Sequence, residues 1–143
     1  MSLILILRFG RTVSLFENGK EPMMLIAALM LNLLILVPLV VSLVGQSTGM
    51  EAAFGQTTDA RRILTCVYGA IAALSAALIW LHLASHSWAV PMTVTLFAVQ
   101  ITYKLATVPM VGLGSPVVMT NLLVVAVQVV VLVALALRGS GAG

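Results

Sequence analysis

The chain has 143 residues, of which 62% are hydrophobic and only 8% charged, where a soluble domain carries about a quarter of charged residues. A soluble domain of this size could not cover so much apolar surface with water-compatible groups, so the composition speaks against a soluble enzyme, a nucleic-acid-binding domain and a disordered chain. The net charge of +3 comes from seven Lys and Arg scattered between Arg8 and Arg138 rather than gathered on one face, so no nucleic-acid partner is expected.

Residues 1–22 start apolar (Leu3 to Leu7) and then turn basic at Arg8 and Arg11. That order is the reverse of a secretory signal, and the apolar run is too short to span. An interfacial segment with both arginines at the headgroups is the expectation, with a frayed tail as the alternative.

Four stretches are long and apolar enough to cross a bilayer, which takes about 20 residues at 1.5 Å each. They are Met23 to Val44, Ile63 to Leu83, about Trp88 to Val111, and about Pro116 to Leu137. Pro22 and Pro116 sit at helix starts, where a missing N–H is harmless. Pro38 is interior, which membrane helices tolerate. Pro109 leaves two ends open for the third span, Val108 or Val111. The loop over residues 45–61 is the only one able to hold a short interfacial helix. The links at Ala84–Ser87 and Gly112–Ser115 are tight, making the last three spans sequential antiparallel neighbours. Residues 139–143 read as a flexible tail. The fold expected is therefore all-α: a four-helix transmembrane bundle over residues 23–138 with short loops, in a multi-pass chain whose termini share one side. Positive-inside counting places that side in the cytoplasm.

Polar residues inside the spans recur every seven residues. They are Tyr68, Ser75 and His82 in the second span, Thr93, Gln100 and Thr107 in the third, and Asn121 and Gln128 in the fourth. Heptad spacing puts each set on one stripe of a left-handed helix crossing. Interhelical hydrogen bonding, at about 0.6–2 kcal/mol per bond, is the reading preferred over a lined substrate path. The turn near residue 113 levels Thr107 with Asn121 and Gln100 with Gln128, so both pairs are expected to face each other. In the second span Gly69, Ala73 and Ala77 recur every four residues. Such small residues permit close helix approach, either making this the central helix or offering a face to a partner.

Lys104 is the one fixed charge well inside a span, and no Asp or Glu lies in any span. Snorkelling to the interface beside Tyr103 is expected, against an anion or lipid-headgroup contact or a carboxylate from another subunit. His82 and His86 stand four apart, a spacing that can hold metal or haem. A third ligand is missing, because Cys66 lies about 24 Å away along the helix. Both histidines are therefore expected in an aromatic belt with Trp80 and Trp88, with no metal and no cofactor. Cys66 is expected as a small buried hydrophobe, and as the single cysteine it excludes an internal disulfide. No nucleophile–base pair and no carboxylate dyad emerges, so no catalytic residue is assigned and no enzymatic activity is expected. The function expected is that of a small accessory or assembly subunit that packs on a membrane partner or on itself. A small transporter or channel with a polar stripe through its bundle is the alternative.

Overall fold

The computed structural model describes residues 21–46 and 49–140. The expected interfacial segment therefore lies, but for its last two residues, outside the described part. The described chain is all-helical: α1 (Glu21–Val44), α2 (Met50–Phe54), α3 (Asp59–Leu83), α4 (Ala89–Val111) and α5 (Pro116–Ser140). Among them, α1, α3, α4 and α5 are long and apolar enough to cross a membrane. The short α2 sits in the one loop with room for it.

The helix ends follow local chemistry. Thr58 opens α3 by accepting a hydrogen bond from the Arg61 backbone N–H at 3.3 Å, which satisfies a donor that has no partner inside the helix. Gly112 closes α4 with φ 92°, a conformation that only glycine adopts without strain. Pro109 does not end α4, which continues to Val111. A proline in the last turn costs a single ladder bond, and neighbouring helices tolerate it. The α5 helix runs to Ser140 and so takes in the first two residues of the expected 139–143 tail, whose other residues lie outside the described part.

α1 packs most extensively on α3, and α4 on α5, with α3–α4 and α1–α5 contacts closing the ring. Two apolar clusters fill the interior. One gathers Leu25, Ala28 and Leu29 of α1 with Leu78 of α3 and Phe97 of α4. The other gathers Leu36 and Leu43 with Tyr68 and Ile71, and Phe54 of α2 packs against it. Between the two, each long helix contributes one buried polar side chain: Asn32, Ser75, Gln100 and Gln128. The bundle is thus layered apolar, polar, apolar, and large residues such as Leu34, Ile63, Val99 and Leu123 point outward. That inversion suits lipid, where apolar surface needs no burial and polar groups must find partners inside.

Candidate functional site

The heptad stripes do form the bundle interior, and they pair across helices. Gln128 Nε2 donates to Gln100 Oε1 at 3.1 Å. Asn32 Nδ2 reaches the Ser75 hydroxyl at a long 3.5 Å. The Thr93 hydroxyl donates to the Ala89 carbonyl at 2.8 Å and meets His82 Nε2 at 3.0 Å. A hydroxyl has one hydrogen, so Thr93 must accept from His82, and the imidazole proton sits on Nε2. Tyr68 lies buried on the same α3 stripe, edge-on to Phe54 with ring centroids 6.4 Å apart.

Lys104 does not turn out along the lipid-facing surface. Its side chain is 3% exposed, and Nζ donates to Asn121 Oδ1 at 3.0 Å. The ammonium also stands 5.3 Å from the centroid of the Tyr103 ring, within cation–π range. Two causes combine. The helix continues to Val111, which sets Lys104 about 10 Å from its end. An amide oxygen also waits on the facing helix. The expected Thr107–Asn121 pair fails for the same reason. Asn121 is taken by Lys104, and the Thr107 hydroxyl turns back to the Lys104 carbonyl at 2.6 Å in its own helix.

Lys104 and Asn121 line a cavity of about 240 Å³ between α1 and α5, roofed by Ala53 and Phe54 of α2. Tyr68 and Thr120 add hydroxyls to walls otherwise built of residues such as Leu36 and Val117. Among the described residues the one ion pair is Arg62–Asp59, at 3.6 Å on the exposed start of α3, and neither residue lines the cavity. Three buried side-chain polar atoms among the described residues have no partner: Gln100 Nε2, Gln128 Oε1 and the Tyr103 hydroxyl.

The histidine pair does not converge. α3 ends at Leu83, and Ser85 takes a left-handed φ of 52°. The turn carries His86 to the surface, where its Nδ1 accepts from the Trp88 backbone N–H at 3.3 Å, while His82 stays buried. No group of His, Cys, Asp or Glu able to hold a metal occurs among the described residues. Trp80 and Trp88 face outward as a belt requires, but His82 does not share that belt.

Gly69, Ala73 and Ala77 do not make α3 the central helix. Ala73 and Ala77 are exposed, and a Cβ built on Gly69 would meet nothing within 4 Å. The polar stripe and the small stripe compete for the inward face of one helix. Unsatisfied hydrogen bonds in lipid cost more than loose packing, so the polar stripe wins. Cys66 is likewise exposed rather than buried.

Two interior residues escape the heptad reading. Asn32 could have been found as the lone amide in a run of leucines. Arg61 is buried, with its guanidinium donating to the Gly55 carbonyl at 2.9 Å and the Thr57 hydroxyl at 3.4 Å. Nothing in the spacing marks it, because its partners are loop atoms. No protein-family model, curated protein or solved structure matches the chain.

Proposed function

We propose that this multi-pass membrane protein is a non-enzymatic accessory or assembly subunit that packs on a membrane partner or on a second copy of itself. One observation carries the reading: the small residues of α3, including Ala70, Ala73, Ala76 and Ala77, face out of the bundle. A smooth face of this kind lets another helix approach closely with little side-chain ordering. The interior supports the same reading, since most of its polar groups are engaged in holding helices together. The same reading puts both termini in the cytoplasm, because Arg8, Arg11, Lys20 and Arg138 outnumber Arg61, Arg62 and Lys104, four to three, on the positive-inside count.

The test is association in a mild detergent. Wild-type protein should co-purify with a stoichiometric partner or run as an oligomer. Leucine at both Ala73 and Ala77 should abolish that association and leave the thermal midpoint of the free chain nearly unchanged. An assembly indifferent to both leucines, or a strictly monomeric and partnerless wild type, would refute the reading. The cavity at Lys104 favours a second reading, a small anion transporter or channel. That reading demands anion flux in liposomes that is lost with Lys104→Met.

A further inference from the structure

From the cavity at Lys104 we infer a binding site for a single anionic lipid. Its phosphate or carboxylate headgroup meets Lys104, and its chain lies between α1 and α5. The inference rests on neither functional reading above.

The cation comes first. Lys104 carries three N–H donors, and one is placed, on the amide oxygen of Asn121. An amide oxygen is a dipole and not a counter-charge. Among the described residues no carboxylate pairs with Lys104. A buried cation without a counter-charge is costly in a membrane bundle, and an anion brought from outside would restore balance. Lys104 also reaches toward the interface through the interior. Gln100 bonds Gln128, so residues whose numbers sum to about 228 share a depth. Asn121 lies about three residues nearer the α4–α5 turn than the level partner of Lys104, a climb of roughly 4 Å. The ammonium is thereby lifted toward the headgroup side.

The walls select an amphiphile over a bare ion. The cavity, about 240 Å³, has room for roughly eight waters at liquid density, more than one oxyanion fills. It runs from Pro116 and Phe54 near the interface down past Ile35 and Leu36 of α1 and Val124 of α5. On α1 Leu34, one residue from Ile35, and on α5 Leu123, one residue from Val124, are exposed on the outside of the bundle. An acyl chain can therefore continue from the cavity into the bilayer without leaving apolar surface. The Tyr103 hydroxyl, buried and unpartnered, belongs to a side chain packed against the cluster of Leu36 and Tyr68 that walls the same space.

The test uses the full chain in a neutral detergent. The probes are dioleoyl phosphatidylglycerol, dioleoyl phosphatidylcholine and inorganic phosphate, read by thermal unfolding and native mass spectrometry. Phosphatidylglycerol should raise the unfolding midpoint and be retained as one lipid per chain, about tenfold more tightly than phosphatidylcholine. Inorganic phosphate at the same concentration should leave the midpoint where it was. Lys104→Met should erase the preference for the anionic lipid, and Lys104→Arg should keep it. Val117→Trp fills the cavity, leaves the charge in place, and should lose retention of phosphatidylglycerol. It decides the matter should Lys104→Met fail to fold. Equal retention of the two lipids by the wild type overturns the inference. So does an equal midpoint rise with inorganic phosphate, which would mark a free-anion site. Undiminished phosphatidylglycerol retention in Val117→Trp has the same force.

Discussion

At Gln100 and Gln128 two amides share a single hydrogen bond, and each keeps one atom unpaired. Their side chains are 0% and 1% exposed, so no outside partner is at hand. Gln100→Leu removes that bond and orphans the whole Gln128 amide, which should cost about 1–2 kcal/mol. Adding Gln128→Leu should recover most of the loss, because no amide then remains to be satisfied. A thermal or denaturant double-mutant cycle measures this, and additive costs would contradict it. Asn121 and Lys104 obey the same logic with a charge. Asn121→Leu strips the ammonium of its one hydrogen bond and should cost about 1.5–3 kcal/mol. Lys104→Met in that background should restore stability, since an apolar side chain needs no partner. Equal midpoints for Asn121→Leu and the double variant would contradict it. The Gln100–Gln128 pairing is legible from numbers alone, as two residues level about one short turn. The fate of Lys104 is not, because a long side chain chooses among partners by reach. Spacing along one helix carries no information about reach.

The small-residue stripe of α3 shows what element-level pattern leaves undecided. Two stripes of equal regularity lie on one helix, and one of them must face lipid. Hydrogen-bond satisfaction decides between them, and that rule is physical rather than periodic. Span ends are legible to within a few residues because prolines, glycines and charges mark them. The histidine pair misleads because four-residue spacing implies a shared face only while the helix continues. Here the chain turns at Ser85, bonding Ser85 N–H to the His82 carbonyl at 3.0 Å and His86 N–H to the Leu81 carbonyl at 2.9 Å. That closing turn puts a non-glycine residue at φ 52°, where glycine is the usual occupant. Ser85→Gly should therefore stabilise the protein by about 0.5–1 kcal/mol, and Ser85→Val should destabilise it. A lowered thermal midpoint for Ser85→Gly would contradict this.

Over the whole molecule, four crossings place the two ends of the bundle on the same side. Reporter fusions after Lys20 and at Gly139 should give the same signal, and a fusion within residues 48–58 the opposite one. Unlike signals from the two ends would overturn the count of crossings, and matching but inverted signals only the orientation. The pairing of α4 with α5 also bears on how the chain enters the bilayer during synthesis. α4 is the least apolar of the four spans. Until α5 emerges, its Lys104 and Gln100 have none of the α5 partners they hold in the finished bundle. A lysine at the centre of an inserting helix costs about 2.5–3.5 kcal/mol, and Lys104 lies about 6 Å from the centre of α4. α5 follows after a four-residue turn and supplies both Asn121 and Gln128. The two helices should thus leave the insertion machinery together, as a preformed hairpin. A chain truncated after Ser115 should then leave α4 poorly inserted, and one extended through Gln128 should rescue it.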